Sequence, residues 1–292
     1  MYEWIAKEKG TESVTFMCRV LKVWRPGYYR HIGCGGGVKE RNAKVLSELK
    51  AIRQENPEYG TERARRELSA GERCSYGKAY RLRKENGLLC ERHRKRRTLT
   101  KQNDEDQLSE DLLKRDFSAA EPNKKWLGDI TQAQCKDGNL YIAGVFDCFD
   151  GALVGLSMQD HMRAELCVEA LSAAAQRYGH PPGLIFHSDR GSQYTSNAYR
   201  SRLEKYGFRQ SMGRTGSCYD NARMESFWAT LKKERLYSLP LSTLTREQVR
   251  RIVFRWIECR YNRKRLYSAN PDYLPPLVYR ERWLEASPSH AA

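Results

Sequence analysis

The pattern between residues 124 and 158 constrains the fold most, because it predicts three short strands joined by tight turns. Residues 141–146 are rich in β-forming side chains, and Asp137 and Gly138 separate them from an earlier strand with alternating polar and apolar positions. A third strand is predicted at residues 152–158. Consecutive strands joined by hairpins pair antiparallel, so the sheet is expected to begin as an antiparallel ribbon.

Further along, strands and helices alternate. We predict a helix capped by Asp160, a strand that ends at His187, a helix at residues 197–206 and a strand at 208–212. The next helix carries an apolar stripe at helical spacing, formed by Met224, Phe227, Trp228 and Leu231. This order predicts a mixed α/β layer. A later helix containing Val249 and Val253 is expected to pack on this core or on a partner subunit.

Three carboxylates lie on these elements at positions that favour a shared site. Asp129 is in the middle of the first strand, Asp189 follows the strand that ends at His187, and Glu225 lies beside the apolar stripe. Carboxylates without Cys or His ligands nearby suit hard cations such as Mg²⁺ or Mn²⁺, and two such ions about 3.5–4 Å apart promote phosphodiester chemistry. The alternative is that the three residues are ordinary surface acids. The unusual sequence runs around them make this alternative less plausible. Asp147 and Asp150 are further acids near the sheet, and we assign them to turn geometry.

Three sequence runs contain these carboxylates: Trp126–Thr131, His187–Ser196 and Asp220–Phe227, the last continuing to Glu234. They resemble the core motifs of a known family, the DDE transposases of bacterial insertion sequences. The 35 residues between Asp189 and Glu225 match the separation that this group favours. Residues 261–268 are similar to the closing segment of the family, with Tyr267 where histidine is more usual. More narrowly, the chain resembles the OrfB-type group, whose catalytic core is like that of retroviral integrases.

This resemblance implies a fold and an activity. The fold would be α/β, a ribonuclease-H-like mixed-sheet catalytic core preceded by an all-α helix-turn-helix region. The activity would be that of a polynucleotidyl transferase that binds the ends of an insertion sequence, cuts the DNA and joins the 3′-hydroxyl to another phosphodiester. Asp129, Asp189 and Glu225 would be the catalytic residues and would bind two Mg²⁺ or Mn²⁺ ions. Residues expected to support them are His187, Ser188 and Gln193.

The charge distribution agrees with a protein that handles DNA. The chain carries 52 Lys and Arg against 36 Asp and Glu, and residues 1–103 hold a net +13 of the total of +16. Such a field attracts phosphate backbones whatever their sequence. The residues proposed to contact DNA are Arg65, Arg66, Lys78, Arg81, Arg83, Lys84, Arg94, Arg96, Arg97, Asn221, Lys232 and Lys233. Scattered lysines on a soluble surface are the alternative, which is less plausible for the dense block at residues 92–97.

The N-terminal third predicts short helices. Ser75 is expected to cap a helix that stops at Asn86 and Gly87, and the glycine-rich residues 31–38 to form a flexible joint. We predict five regions: a helix-turn-helix-like segment at 1–35, a helix-turn-helix domain at 40–95, a linker at 96–122, the catalytic core at 123–240 and a helical extension at 241–292. A helical bundle that serves only oligomerisation is the alternative for the second region.

Partners and location follow from the same observations. The expected partners are element-end and target DNA, further copies of the chain on that DNA and, by resemblance, the product of an upstream reading frame, fused or associated. No apolar stretch is long enough for a membrane span, so a cytoplasmic, nucleoid-associated protein is predicted. Nine cysteines without a C-x-x-C pair are expected to be reduced. Two other functions compete: a catalytically silent DNA-binding regulator or domesticated remnant, and a nuclease of the same fold without strand transfer.

Overall fold

The computed structural model describes residues 1–33, 37–90, 109–213 and 221–287, and only the backbone of residues 33 and 37–39. The chain forms two compact units, Met1–Arg94 and Lys95–Ala292. No helix in the described ranges is long and apolar enough to cross a membrane.

The first unit begins with helices α1 (Tyr2–Glu8), α2 (Val14–Val20) and α3 (Arg25–Gly33). They enclose a small core of Ile5, Met17, Cys18 and Tyr28. The joint predicted at residues 31–38 is wrong at both ends, because α3 continues to Gly33 and the next helix starts at Gly37. Each glycine costs a helix only about 1 kcal/mol relative to alanine, so glycines do not by themselves stop helices from forming on either side. Residues 34–36 lie outside the described part.

Helices α4 (Gly37–Glu55), α5 (Thr61–Arg66) and α6 (Tyr76–Glu85) follow in the first unit. Their shared core contains Val45, Leu49, Ala64, Leu68 and Leu82. The predicted start and stop of α6 are confirmed: the Ser75 hydroxyl accepts a hydrogen bond from the Lys78 amide, and Gly87 has a φ of +66° just after the helix. This left-handed backbone is one that glycine adopts without strain.

The second unit contains a five-stranded mixed sheet. Its strands are β1 (Lys125–Cys135), β2 (Gly138–Asp147), β3 (Leu153–Gln159), β4 (Ile185–Ser188) and β5 (Arg209–Met212). They lie in the order β3-β2-β1-β4-β5. The predicted antiparallel ribbon of β1, β2 and β3 is confirmed, while β4 pairs parallel with both β1 and β5. The first strand is therefore central.

Helices cover both faces of this sheet, as the mixed α/β prediction requires. On one face lie α7 (Ala164–Tyr178), α8 (Ser192–Thr195) and α9 (Asn197–Tyr206). On the other lie α10 (Ala222–Leu231) and α11 (Arg246–Arg255), which continue into the wide π turns Lys232–Leu236 and Trp256–Tyr261. Asp160 does not cap α7: Arg163 is the N-cap residue, and the Asp160 carboxylate lies 3.5 Å from the guanidinium of Arg246.

The C-terminal segment packs on the same core and not on a separate surface. Val249 and Val253 of α11 are fully buried in the cluster that also contains α10. Asn262 hydrogen-bonds both the amide and the carbonyl of Leu153, each at 3.0 Å. In α12 (Pro276–Ala286), Arg280 forms buried ion pairs with Asp147 and Asp150. Asp147 and Asp150 therefore have a structural role, because their ion pairs with Arg280 connect the β2–β3 hairpin to α12.

Candidate active site

Two of the three predicted carboxylates are carried by neighbouring strands of the sheet. The parallel pairing of β1 and β4 places Leu127 opposite His187, two residues before each acid, and the charge of Asp189 acts on Asp129. One oxygen of each carboxylate is held locally, since Asp129 Oδ1 accepts the Ile130 amide at 2.8 Å and Asp189 Oδ1 accepts the Gly191 amide at 3.0 Å. Asp129 is thus positioned within β1, and Asp189 directly after β4.

The residue before Asp129 has to be glycine for packing reasons. A Cβ atom added to Gly128 would lie 2.5 Å from the ring of Phe186 on β4 and 3.1 Å from the ring of Tyr194. A side chain at this position would therefore require the Phe186 ring to move. The close contact between β1 and the residues of β4 and α8 therefore depends on Gly128, and it keeps Asp129 near Asp189.

The third carboxylate comes from the helix α10. Its N-cap residue, Asn221, donates from Nδ2 to the Gly128 carbonyl at 3.2 Å, which fixes the start of the helix next to β1. The predicted apolar stripe is confirmed, because Met224, Phe227, Trp228 and Leu231 are all buried. Glu225 lies one turn after Asn221 and is exposed. The three acids are thus carried by one strand, the loop after its neighbour, and one helix.

The electrostatics show that negative charge accumulates here. The pKa of Asp129 is raised to about 7, mainly by burial and next by the charge of Asp189, with a smaller contribution from Glu225, whereas the Ile130 amide opposes the shift. Burial also raises the pKa of Asp189, which the Gly191 amide and His187 partly offset. Both carboxyl groups are half-buried, and a positive charge placed beside them would favour their charged forms.

A divalent metal ion fits this donor set. Oxygen-only carboxylate donors are those preferred by Mg²⁺ and Mn²⁺, and the raised pKa of Asp129 means that a cation beside it would be stabilising. Among the described residues, no group of three or more His, Cys, Asp or Glu side chains is arranged so that it could hold a metal ion. Mg²⁺ is commonly held by one or two carboxylates together with water and substrate phosphates, so the three acids do not need to form a closed cage.

Lys232 is a predicted DNA-contacting residue whose pKa is affected by the charge of Asp129. It is half-buried just after α10, and burial lowers the pKa of its ammonium while the charge of Asp129 raises it. Lys233, the next residue, is exposed. Of this pair, only Lys232 shares the electrostatic environment of the acids.

The three predicted supporting residues have different surroundings. His187 is buried, and its Nδ1 lies 2.8 Å from the Ser211 hydroxyl on β5. Ser188 is buried too, and its hydroxyl donates to the Asp189 carbonyl at 3.0 Å. Gln193 instead donates to the Met162 carbonyl at 2.9 Å, in the loop before α7. His187 and Ser188 therefore stabilise the end of β4, while Gln193 connects α8 to the loop before α7.

One predicted DNA contact in the first unit is wrong. Arg83 was expected to be exposed, but it is 1% exposed and its guanidinium donates to the carbonyls of Tyr59 at 2.7 Å and Leu88 at 2.8 Å. It belongs to the buried stripe of α6 with Ala79 and Leu82. The sequence did carry a signal for burial, because Arg83 lies four residues after Ala79 and therefore on the same face of the helix. The prediction gave more weight to its charge.

The other predicted contacts in the first unit differ in accessibility. Arg65 and Arg66 both pair with Glu62, at 2.6 Å and 3.1 Å. Lys78 is partly exposed, whereas Arg81 and Lys84 are exposed on α6. Arg94, Arg96 and Arg97 lie outside the described residues. The exposed positive charge on α6 is thus concentrated at Arg81 and Lys84.

Sequence reasoning missed a buried ion pair that holds the far end of α10. Arg265 forms a two-fold contact with Glu234, with N–O distances of 2.6 Å and 2.8 Å, and the side chains are only 4% and 8% exposed. Both residues stand in motifs that carry the resemblance, and their opposite charges were the only available signal. The pair connects the π turn after α10 to the C-terminal segment.

Comparisons with known proteins agree with this architecture. The integrase core domain family matches residues 119–218, and a second integrase core domain family matches residues 206–276. The HTLV-2 integrase catalytic core domain in complex with magnesium is 18% identical, with a TM-score of 0.42 over 55% of this chain and 98% of that one.

Full-length relatives are closer in sequence. The insertion element IS600 uncharacterized 31 kDa protein of Shigella sonnei is 37% identical over 270 residues, which cover 91% of this chain and 98% of that protein. Transposase InsF for insertion sequence IS3A of Escherichia coli (strain K12) is 36% identical over 274 residues, which cover 91% and 94%.

The fold and the sequence together define an integrase-core polynucleotidyl transferase of the DDE class, with a ribonuclease-H-like sheet. More narrowly, the chain belongs to the family of insertion-sequence transposases that includes InsF. The predicted family and fold class are thereby confirmed, and an integrase-like core implies use of a divalent metal ion.

Proposed function

We propose that Asp129, Asp189 and Glu225 are the catalytic residues of this transposase and bind two Mg²⁺ or Mn²⁺ ions. One observation supports the proposal: β1 and β4 pair in parallel up to two residues before Asp129 and Asp189, and the hydrogen bond from Asn221 to Gly128 brings the helix of Glu225 to β1. The charges of Asp189 and Glu225 both reach Asp129. Surface acids without a shared role would not need this arrangement.

The reaction would cut DNA at the ends of the element and join the exposed 3′-hydroxyl to another phosphodiester. Bound cations would supply activation of the attacking oxygen and stabilisation of the leaving one. Asp129 and Asp189 would hold them from the rigid sheet, and Glu225 would complete the set from α10. Lys232 would contact a DNA phosphate beside them, since its ammonium lies in the field of Asp129. Asn221 would fix the helix start, and exposed Lys233 would make an outer phosphate contact.

The helical first unit would bind the element ends. Arg81 and Lys84 are exposed on α6, the third helix of a three-helix arrangement with its own core. Recognition helices of this kind enter the major groove of DNA. Arg65, Arg66, Lys78 and the arginines at 94, 96 and 97 would add phosphate contacts. We also infer several copies of the chain on the DNA, association with an upstream-frame product, a cytoplasmic location and the five regions bounded at residues 35, 95, 122 and 240.

The test uses the full chain, Mn²⁺ and a branched DNA that mimics a strand-transfer product with the element end. Wild type should reseal and release the branch, whereas Asp129→Asn, Asp189→Asn and Glu225→Gln should each lose this activity by at least about a hundredfold. Glu165→Gln, which changes an exposed acid on α7, is the matched control and should retain it. Equal activity in wild type and the three variants would refute the assignment.

The same assay separates the competing functions. A catalytically silent regulator would bind the branched DNA and leave it unchanged in every variant. A nuclease without strand transfer would nick the DNA but give no joined product. Joined product that depends on all three acids is the outcome expected for a transposase.

A further inference from the structure

A buried tryptophan lies against the strand that carries Asp129. Trp228 belongs to the apolar stripe of α10, three residues after Glu225, and is 4% exposed. A Cβ atom added to Gly144 would lie 3.0 Å from Cη2 and 3.1 Å from Cζ2 of its indole ring. Gly144 pairs directly with Asp129 across β1 and β2. Residues directly opposite in an antiparallel pair share a face of the sheet, so the indole lies over the face that Asp129 occupies.

Of the two indole atoms that approach this face, Cζ2 lies next to the N–H group, because Cζ2 and Nε1 are both bonded to Cε2. That nitrogen is buried and has no hydrogen-bond partner within the parts of the chain that the structure describes. A buried donor without an acceptor costs roughly 1–3 kcal/mol. An unsatisfied indole N–H from a ring that packs on the face of Asp129 therefore needs an explanation.

Asp129 offers a suitable acceptor. Its Oδ1 accepts the Ile130 amide, and no hydrogen bond to its Oδ2 is present among the described residues. The direction in which Trp228 acts on Asp129 is also consistent, because the indole lowers the pKa of that carboxyl. A donor to a carboxylate favours its charged form, which is the form that binds a cation.

We infer that Trp228 is a positioning residue of the candidate active site, whose indole N–H donates to the Asp129 carboxylate and fixes the orientation in which that carboxylate binds a divalent cation. The contact joins the strand of Asp129 to the helix of Glu225. Hydrogen bonds that orient a metal-binding side chain typically change metal affinity by about 10- to 100-fold when removed. This inference rests on the proposed metal-binding role of Asp129.

The first experiment measures Mn²⁺ binding to the full chain by water-proton relaxation, without DNA and without turnover. Trp228→Phe removes the N–H group and keeps an aromatic ring, and it should weaken Mn²⁺ binding by about 10- to 100-fold. Trp256→Phe is the matched control, because Trp256 is equally buried, at 4% exposure, in the same core cluster. It should lose similar packing but keep the wild-type affinity. Wild-type affinity in Trp228→Phe would overturn the inference.

Asp129→Asn separates this inference from the proposed function. If Asp129→Asn binds Mn²⁺ as wild type does, the metal-binding role of Asp129 fails, and with it both proposals. If Asp129→Asn loses Mn²⁺ while Trp228→Phe binds normally, only the role of Trp228 fails.

A second measurement does not depend on the folding of Trp228→Phe. The chain has six tryptophans, whose indole N–H groups can be followed by ¹⁵N–¹H NMR. One of these resonances should respond most strongly to Asp129→Asn, and it should be the one assigned to Trp228 in the wild-type spectrum. If no indole resonance responds to Asp129→Asn, the hydrogen bond does not form and the inference is overturned.

Discussion

At the scale of single residues, Asp129 stores unfavourable energy in the metal-free protein. Its carboxyl has a pKa of about 7 in the folded chain and about 3.9 when unfolded. The folded state therefore binds the proton more tightly, and the free energy of unfolding falls as the pH rises from about 4 to about 7. Above about pH 7 the free energy of unfolding falls no further. The total decrease is roughly 2–4 kcal/mol, after allowance for the partial exposure of the Asp129 side chain.

We therefore expect Asp129→Asn to be more stable than wild type in metal-free buffer at pH 8, by roughly 2–4 kcal/mol. The difference should shrink as the pH is lowered from about 7 and largely disappear at and below about pH 4, because the carboxyl group is then protonated in the folded chain and increasingly so in the unfolded chain. Urea unfolding with a chelator at pH 4, 6 and 8 measures it. Saturating Mg²⁺ should stabilise wild type, by binding the folded state, and should stabilise Asp129→Asn less. A constant difference at all pH values would contradict the account.

Arg83 provides a second prediction at this scale. Its guanidinium satisfies the carbonyls of Tyr59 and Leu88 inside the first unit. Arg83→Met keeps much of the volume but leaves both carbonyls without this donor, so the free energy of unfolding should fall by roughly 2–4 kcal/mol. Arg81→Met, on the exposed face of the same helix, should change it by less than about 0.5 kcal/mol. Thermal or urea unfolding of the two variants compares them, and equal stability would show that Arg83 is not a structural residue.

At the scale of elements, the pair Glu234–Arg265 fixes the end of α10 that is far from Glu225. Removing one partner of a buried pair leaves an uncompensated charge and costs about 3–5 kcal/mol, whereas replacing both by apolar residues is often neutral. Arg265→Met should therefore be strongly destabilised, and the double variant Glu234→Leu with Arg265→Met should recover most of the loss.

Urea unfolding of the single and double variants gives the coupling energy by a double-mutant cycle. The exposed pair Glu247–Arg251 on α11, with side chains 52% and 79% exposed, is the control and should contribute less than about 1 kcal/mol. Similar coupling in the two pairs would mean that burial does not strengthen the Glu234–Arg265 contact.

These element-scale contacts also mark the limit of sequence reasoning. The strands β1 to β3 and the stripe of α10 were predictable, because alternation and helical spacing are local patterns. The pairs of Arg265 with Glu234 and of Arg280 with Asp147 join residues 31 and 133 positions apart, and no local pattern specifies them. Trp228 is a similar case: helical spacing predicted its place in the apolar stripe, but no local pattern specified the direction of its N–H group. Arg83 was predicted wrongly because a charge was given more weight than a helical position.

At the scale of the whole molecule, the positive charge is concentrated toward the N-terminus, with a net +13 in residues 1–103 out of +16. Binding of DNA by such a surface releases counterions, so the logarithm of the binding constant should fall linearly with the logarithm of salt concentration. Each phosphate contact contributes about 0.9 to the slope on duplex DNA. The slope therefore counts contacts without knowledge of the base sequence.

We expect Arg81→Gln and Lys84→Gln each to reduce this slope by about 0.9 and the double variant by about 1.8, because both side chains are exposed on α6. Fluorescence anisotropy with a duplex that carries the element end, between about 50 and 300 mM salt, roughly a sixfold range, measures the slopes. Arg251→Gln, which removes a 79% exposed charge in the second unit, is the control and should leave the slope unchanged. If the α6 variants keep the wild-type slope, the first unit does not contact phosphates through α6, and the alternative of a bundle that serves only oligomerisation becomes the better account of that unit.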